Sequence, residues 1–271
     1  MTTQSKGTAL ITGASSGIGA VYADRLARRG YDLIIVARNR GKLDKLATRL
    51  TDETKHSVEV LPADLNDERD LARVEETLRK DAGITLLVNN AGIGTVAPLL
   101  NSDVNKMDET ISLNISALTR LTYAVVPGLV ARGTGAIINI SSTVAISPEL
   151  LNGVYGASKA YVLAFSQSLQ HELAPKGIRI QAVLPGAIAT DFWDTGGFPV
   201  SNFPPEFVMT AENLVDAALS GFDQGELVTI PALPDKAEWD RFEAARRDMS
   251  TRLSSTHPAT RYGIKARAKA S

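Results

Sequence analysis

Short apolar runs alternate with longer segments of helical periodicity along this chain, and the alternation limits the folds it can adopt. The runs are continuous rather than alternating with polar residues, which is typical of strands buried on both faces of a parallel sheet. We predict seven strands, at residues 8–12, 32–37, 58–62, 86–89, 136–141, 179–184 and 227–230. Helices are predicted between them, at residues 18–29, 42–50, 68–80, 104–131, 155–174 and 211–221.

Strict alternation of strand and helix predicts an α/β fold: a doubly wound, mostly parallel seven-stranded sheet with helices on both faces, in a Rossmann-like arrangement. A length of 271 residues suits one large domain of this kind, so we assign residues 1–271 to a single domain. Its parts are a core at 7–190, a lid segment at 191–209 and a C-terminal helix and tail at 234–271. The lid assignment rests on a run rich in aromatic residues, glycine and proline.

Composition excludes several classes of function. The 29 basic and 30 acidic residues nearly cancel, so neither a nucleic acid nor another polyanion is expected as a partner. The chain has no cysteine, and its three histidines lack metal-ligand spacing, so no metal site is expected. The N-terminus resembles no signal peptide and no apolar run reaches about 20 residues, so we expect a cytoplasmic protein that does not enter a membrane.

The predicted helix at 104–131 carries apolar residues on more than one side. A helix that is apolar on two sides needs two surfaces to pack against. The sheet supplies one, and a second subunit or buried loops could supply the other. We therefore expect a homodimer or a homotetramer.

A glycine-rich stretch, Thr12 to Gly19, follows the first predicted strand and opens the first helix. Backbone N–H groups and the helix dipole at such a position hold a pyrophosphate. Gly13 permits a tight turn, Gly17 lets the main chain approach the phosphates, and Gly19 allows close packing of helix and strand. The same stretch fits the G-x-S-x-G elbow of serine hydrolases, but only fourteen residues precede Ser15, too few for the strands that such an elbow requires.

The end of the second predicted strand bears on which dinucleotide would bind. An acidic residue there usually binds the ribose 2′-hydroxyl of NAD, whereas this chain has Ala37 followed by Arg38. A guanidinium can pair with a 2′-phosphate through two hydrogen bonds. The sequence therefore favours NADP(H) over NAD(H), although an exposed arginine at a strand end is also common.

Tyr155 and Lys159 lie four residues apart near the start of a predicted helix, and this spacing puts them on one face. A fixed cation beside a phenol favours the ionised form and so lowers the phenol's pKa. The pair could therefore exchange protons with a substrate. Taken alone, however, the same spacing could also come from a half-buried tyrosine and a solvated lysine that share a helix face by chance.

With these motifs in place, the chain resembles the short-chain dehydrogenase/reductase family, in its single-domain branch of about 250 residues. The resemblance covers residues 7–190 and rests on motifs in the family's order: Thr12 to Gly19, Asp64-Leu65, Asn89-Asn-Ala-Gly92, Asn114, Ile140-Ser-Ser142, Tyr155-Gly-Ala-Ser-Lys159 and Pro185 to Thr190.

The resemblance implies roles for four catalytic residues. Tyr155 would exchange a proton with the substrate oxygen, and Lys159 would lower the pKa of the tyrosine and hold the nicotinamide ribose. Ser142, thirteen residues before Tyr155, would hydrogen-bond the substrate carbonyl. Asn114 would position a water that links Lys159 to solvent.

The resemblance also implies the cofactor site and leaves the substrate site open. The cofactor-binding residues would be Gly13, Ser15, Ser16, Gly17, Ile18, Gly19, Arg38, Asp64, Leu65, Asn90, Ala91, Gly92, Tyr155, Lys159, Pro185, Gly186, Ile188 and Thr190. Candidate substrate contacts are Val144, Leu150, Phe192 and Trp193, which suggest a mostly apolar pocket. The aromatic residues of the lid segment could instead pack against the terminal helix or another subunit.

These features predict an NADP(H)-dependent oxidoreductase that interconverts a ketone or aldehyde with its alcohol by hydride transfer, with reduction favoured. One alternative is an NADP-dependent hydroxy-acid or amino-alcohol dehydrogenase that works in the oxidative direction. A second is a non-enzymatic NADP(H)-binding sensor on the same fold, because a fold alone does not determine function.

Overall fold

The computed structural model of the chain describes residues 6–264, except for the side chains of residues 194 and 195. Its main sheet has seven strands in the order β3-β2-β1-β4-β5-β6-β9, and every neighbouring pair is parallel. The seven predicted strands are confirmed, with ends shifted by at most two residues. They are β1 Thr8–Thr12, β2 Asp32–Ala37, β3 Val58–Pro62, β4 Ile84–Asn89, β5 Gly135–Ile140, β6 Ile178–Val183 and β9 Val228–Thr229.

Helices join these strands, as the periodicity predicts. They are α1 Gly17–Arg28, α2 Arg40–Thr54, α3 Glu68–Lys80, α4 Val104–Ile111, α5 Leu118–Arg132, α6 Gly153–Leu173, α7 Phe192–Thr195, α8 Ala211–Asp223 and α9 Lys236–Ser250. The one helix predicted at 104–131 is divided, because a π-helical segment at Ser112–Ala117 separates α4 from α5.

Two hydrophobic clusters cover the two faces of the sheet, so the predicted placement of helices on both faces is confirmed. Neighbouring residues of β1 belong to different clusters: Ile11 packs with α1, α2 and α8, and Leu10 packs with α3, α5 and α6. Both side chains are fully buried. Because successive side chains of a strand point to opposite faces, a continuous apolar run fills both layers.

The chain divides into two compact units, one ending at Ala232 and the other beginning at Leu233. The first contains the whole seven-stranded sheet, and the second contains α9. The assignment of residues 1–271 to a single domain stays a prediction.

By length and composition alone, the helical stretch Val104–Arg132 could cross a membrane. Its apolar residues in α5, however, include Leu121, Val125 and Leu129, which are buried against the sheet. A core helix of this kind accounts for the apolar composition. Ile111 and Tyr123 are exposed on the same stretch, and the expected homodimer or homotetramer stays a prediction.

The lid segment contains more regular structure than a loop. A two-stranded parallel sheet joins β7, Ala187–Ile188, to β8, Val208–Met209, and α7 lies between them in the chain. The segment therefore leaves the main sheet after β6 and is held at its far end by strand pairing.

The strand order reverses between β1 and β4. From β1 the chain continues outward through β2 and β3 to one edge of the sheet, and from β4 it continues outward through β5 and β6 toward the other edge. Loops that follow parallel strands meet at the carboxyl edge, and ligands bind at such a switch point. The loops after β1, β4, β5 and β6 carry most of the predicted site residues.

Candidate active site

Tyr155 and Lys159 lie in the first two turns of α6, on one face as predicted. Both are buried, with 7% and 6% of their surface exposed. The Lys159 ammonium donates a hydrogen bond to the Ile140 carbonyl at 3.0 Å, and its Nζ lies 5.7 Å from the centre of the Tyr155 ring. The pair is therefore an organised part of the interior rather than a chance surface neighbour.

Ser142 lies directly after β5, close enough to the Tyr155 side chain to influence its pKa. Its hydroxyl also donates to the Pro185 carbonyl at 3.3 Å and accepts from the Val144 amide at 3.3 Å. The neighbouring Ser141 instead donates to the backbone carbonyl of Lys159 at 2.7 Å. Ser142 rather than Ser141 therefore faces the phenol, as the spacing in the sequence predicts.

Burial sets the protonation of this pair. It raises the pKa of the Tyr155 phenol to about 12, while the Ser142 hydrogen bond acts in the opposite direction. Burial lowers the pKa of Lys159 to about 8. The net pKa of the phenol thus lies above its usual value, because removal from water penalises the phenolate, and the lowering of this pKa by Lys159 stays a prediction.

Asn114 lies in the π-helical segment between α4 and α5 and is buried. Its side-chain amide donates to the Ile93 carbonyl at 2.8 Å and to the Ser158 hydroxyl at 3.1 Å, and its carbonyl accepts from the Ile93 amide at 3.0 Å. Ser158 in turn donates to the Tyr155 carbonyl at 2.8 Å. Asn114 thus ties the loop after β4 to α6, and its role in positioning a water stays a prediction.

The glycine-rich loop lies beside this group and is formed as predicted. Gly13 and Gly17 adopt φ values of +67° and +53°, a backbone region that favours glycine. A Cβ on Gly13 would meet the Asn90 side chain at 2.8 Å, and one on Gly17 would meet Thr190 at 3.0 Å. Only glycine leaves the surface of this loop open between the two neighbouring loops.

The amino end of α1 is suited to an anion. Ser16 is the N-cap residue, yet within the described chain its side chain caps none of the first amides of α1. In α2, α3 and α6 the N-cap side chain does accept such a hydrogen bond. Uncapped first-turn amides bind phosphate groups, and the predicted contacts Ser15, Ser16 and Ile18 surround this point.

The loop after β4 is fixed to the glycine-rich loop. Asn90 donates from its side chain to the Thr12 carbonyl at 2.9 Å, and the Asn90 and Ala91 amides both donate to the Thr12 hydroxyl at 3.0 Å. A Cβ on Gly92 would lie 3.2 Å from Asn114 Oδ1 and 3.4 Å from Lys159 Nζ. The loop thus connects the predicted cofactor and catalytic residues.

At the far end of the predicted cofactor site, Arg38 is exposed directly after β2. Among the described residues, no acidic side chain pairs with it. Asp64 is half-buried after β3 and accepts from the Asn66 amide, while Asp67 supplies the N-cap of α3. Asp67 rather than Asp64 therefore caps α3, and Leu65 beside Asp64 is buried.

The loop after β6 carries the remaining predicted cofactor contacts. Pro185 is buried and its carbonyl accepts from Ser142, while Gly186 is exposed. Ile188 is buried in β7, and Thr190 lies against Gly17. The loop thus extends from the serine of the catalytic group to the glycine-rich loop.

The predicted substrate contacts lie in different environments. The Phe192 ring lies 5.7 Å from the Tyr155 ring, centre to centre. Trp193 is buried, donates to the Ile188 carbonyl at 2.9 Å and packs against Phe203. The lid aromatics therefore pack on one another and on Tyr155.

Val144 and Leu150, from the loop after β5, differ in exposure. Val144 is buried beside Ser142, whereas Leu150 is 64% exposed. All four substrate contacts stay predictions; the Phe192 ring packs on Tyr155, and the Val144 amide binds the Ser142 hydroxyl.

Two residues at this site were missed by the sequence reasoning. Asn152 caps α6, and a signal existed, because asparagine favours N-cap positions. Gly94 packs against the Tyr155 ring: a Cβ there would lie 2.6 Å from Tyr155 and 2.9 Å from Phe192. No sequence pattern indicated this approach, since it depends on three parts of the chain that are distant in sequence: the loop after β4, α6 and α7.

Comparison with known proteins agrees with this geometry. A profile of the short chain dehydrogenase family matches residues 7–196. A short-chain dehydrogenase from Sphingobium yanoikuyae, solved in complex with NADPH, is 50% identical with a TM-score of 0.92, over 94% of this chain and 99% of that one. The bulky-bulky ketone specific alcohol dehydrogenase from Comamonas testosteroni is 46% identical with a TM-score of 0.88, over 96% and 99%.

A curated human relative is named as inactive. Inactive hydroxysteroid dehydrogenase-like protein 1 is 35% identical over 192 residues, 70% of this chain and 58% of that protein. The matched region is thus less than two thirds of that relative's length.

A doubly wound sheet, a glycine-rich phosphate loop and a buried Ser-Tyr-Lys group at the carboxyl edge define a dinucleotide-binding α/β protein of the oxidoreductase class. The chain belongs to the short chain dehydrogenase family.

Proposed function

We propose that this protein is an NADP(H)-dependent oxidoreductase that reduces ketones to alcohols. One observation carries the proposal: Ser142, Tyr155 and Lys159 converge in the interior at the carboxyl edge of the sheet, beside the glycine-rich loop. A hydroxyl donor, a phenolic acid and a cation are the groups that a carbonyl needs in order to accept a hydride and a proton.

The described residues fit a dinucleotide. The glycine-rich loop leaves space that a Cβ would fill, and α1 presents uncapped amides for the pyrophosphate. Arg38 and Ala37 favour the 2′-phosphate of NADP(H) over NAD(H), and the Sphingobium relative was solved with NADPH. When bound, NADPH supplies the hydride.

The residues of the chain supply orientation and the proton. The Ser142 hydroxyl turns its one proton from the Pro185 carbonyl to the substrate carbonyl oxygen and fixes that oxygen beside the phenol. The Tyr155 hydroxyl then gives its proton to that oxygen as negative charge develops there. Lys159, with its Nζ 5.7 Å from the centre of the Tyr155 ring, stabilises the phenolate that remains.

The protonation of Tyr155 supports reduction as the favoured direction. With a pKa of about 12 the phenol holds its proton at neutral pH, which is the form that an acid requires. Oxidation of an alcohol needs the phenolate as a base. A hydroxy-acid or amino-alcohol dehydrogenase in the oxidative direction therefore remains the second candidate for this site, and it requires higher pH.

For the substrate, we favour ketones with two bulky apolar substituents. Phe192, Trp193 and Phe203 form a continuous aromatic group that begins at the Tyr155 ring. The relative from Comamonas testosteroni, whose name states a preference for such ketones, is 46% identical over 96% of this chain. An apolar wall next to the proton donor binds apolar substituents and holds the carbonyl toward Ser142.

A non-enzymatic NADP(H)-binding sensor is the alternative of another class, and the human relative that is named as inactive keeps it open. The two functions separate in one experiment: NADPH and NADH consumption are measured in parallel with a diaryl ketone, an aryl alkyl ketone, acetone and an aldehyde. The proposal expects NADPH-dependent turnover that is fastest with the bulky ketones. Tight NADPH binding without turnover of any carbonyl would favour the sensor.

A further inference from the structure

The loop after β4 continues as a short stretch, residues 93–98, which we call segment 93–98. Gly94, within it, lies against the Tyr155 ring, so closely that a Cβ would be 2.6 Å from Tyr155 Cδ2. The same Cβ would also lie 2.9 Å from Cζ of Phe192, which belongs to the lid segment. One side of the phenol ring is therefore bounded by segment 93–98.

Two asparagine side chains hold the segment at its two ends. Asn114 binds both the amide and the carbonyl of Ile93, at 3.0 and 2.8 Å. Asn152 donates from its side-chain amide to the Ala97 carbonyl at 2.7 Å. Gly94 lies between these two anchors, so the position of its backbone against Tyr155 depends on both.

Asn152 also fixes the helix that carries Tyr155. It is the N-cap residue of α6, and its Oδ1 accepts from the Val154 amide at 2.9 Å and from the Tyr155 amide at 3.4 Å. Only 5% of its surface is exposed. The side-chain nitrogen of Asn152 thus holds segment 93–98, while its side-chain oxygen holds the first turn of α6.

We propose that Asn152 is a positioning residue for the reaction: its side-chain amide clamps segment 93–98 to the start of α6 and so fixes the Tyr155 ring between Gly94 and Phe192. It touches neither the substrate nor the cofactor in this role. Loss of the clamp leaves α6 formed but frees the wall that Gly94 provides for the Tyr155 ring, so that the phenol can shift from its reacting position. Displacements of about 1 Å at a reacting group are enough to lower a rate by about 100-fold.

A substitution can remove the donor role of the Asn152 side-chain amide and keep its acceptor role. Asn152→Asp retains an acceptor for the Val154 amide, and aspartate is as good an N-cap as asparagine. At neutral pH its second oxygen faces the Ala97 carbonyl and cannot donate, so the clamp is lost while the cap remains. Thr210→Ala is the matched control, since Thr210 caps α8 through the Asn213 amide at 3.1 Å.

The first measurement is hydrogen exchange, which needs no activity. In Asn152→Asp the amides of segment 93–98 should exchange about three- to tenfold faster than in the wild type, the factor that one hydrogen bond is worth. The amides of α6 should be unchanged, and Thr210→Ala should affect neither region. Unchanged protection of segment 93–98 in Asn152→Asp would overturn the clamp.

The second measurement concerns Tyr155 itself. Ultraviolet titration of each protein, compared with the same protein carrying Tyr155→Phe, isolates this phenol. For this titration the variant is Asn152→Ser, which keeps a neutral N-cap oxygen but is too short to reach the Ala97 carbonyl. In it the Tyr155 pKa should move from about 12 toward its ordinary value, because the freed wall admits water. A pKa that stays at its wild-type value would contradict the positioning role.

The catalytic measurement rests on the proposed function. We expect Asn152→Asp to lower kcat/KM for a bulky ketone by about 10- to 100-fold, with unchanged NADPH affinity. Activity within twofold of the wild type would overturn the inference. If the wild type turns over no carbonyl, the proposed function fails, and hydrogen exchange and the Tyr155 titration still decide the role of Asn152.

Discussion

The ring of Phe192 lies 5.7 Å from the ring of Tyr155, centre to centre, with the two planes inclined by 45°. This contact joins the lid segment directly to the proposed proton donor. Phe192 also meets Trp193 edge to face at 5.4 Å, and Trp193 is anchored to the Ile188 carbonyl. The lid thus presents one ring to the site and holds it with a buried second ring.

Substitution of Phe192 should affect bulky substrates selectively. In Phe192→Ala we expect kcat/KM for a diaryl ketone to fall about tenfold, the size of one lost aromatic contact, with a small effect on acetone. Phe207→Ala is the control, because Phe207 lies in the same segment but is 68% exposed. Equal losses for the bulky ketone and acetone would show that Phe192 does not select the substrate.

Most of the fold could be predicted because its signals are local. Continuous apolar runs such as Asp32–Ala37 are buried on both sheet faces, and they end at the strand boundaries within two residues. The glycine-rich loop was equally readable, since its turn needs residues of positive φ at Gly13 and Gly17. The spacing to Tyr155 selected, from an adjacent pair of serines, the one that lies near the phenol, while Ser141 binds the backbone of Lys159.

What could not be predicted depends on contacts between distant parts of the chain. The pKa of Tyr155 was expected to fall, because the sequence shows the neighbouring cation but not the depth of burial. Gly94 carries no signal, since its importance arises from the ring that faces it. The β7–β8 pairing is two residues long, too short for any periodicity to reveal.

Arg38 should determine the choice between cofactors. In Arg38→Ala we expect the KM for NADPH to rise about 10- to 100-fold, the value of charge-assisted hydrogen bonds to the 2′-phosphate, with little change for NADH. Arg40→Ala is the control, because it removes an exposed arginine two residues away. An Arg38→Ala variant that keeps the wild-type preference for NADPH would refute the role of this guanidinium.

The pH dependence of reduction should follow Lys159. Burial lowers its pKa to about 8, so it is charged below that pH and neutral above it. Because the charge stabilises the phenolate that forms at Tyr155, kcat/KM for reduction should fall as pH rises, by about tenfold per unit above this pKa.

Substitution of Lys159 itself tests this assignment. Lys159→Arg keeps a positive charge at high pH and should extend the plateau of the profile, whereas Lys176→Met, at an exposed lysine, should leave the profile unchanged. A wild-type profile that is flat from pH 6 to pH 10 would speak against a catalytic charge on Lys159.

The most direct test of the proposed function compares the wild type with Tyr155→Phe in NADPH oxidation driven by a bulky ketone. Loss of the phenolic proton donor should lower kcat/KM by about 100- to 10,000-fold, while NADPH binding is retained because the rest of the site is intact. Equal rates of NADPH oxidation in the two proteins, or no ketone-dependent oxidation by the wild type, would contradict the assignment of this chain as a Tyr155-dependent carbonyl reductase.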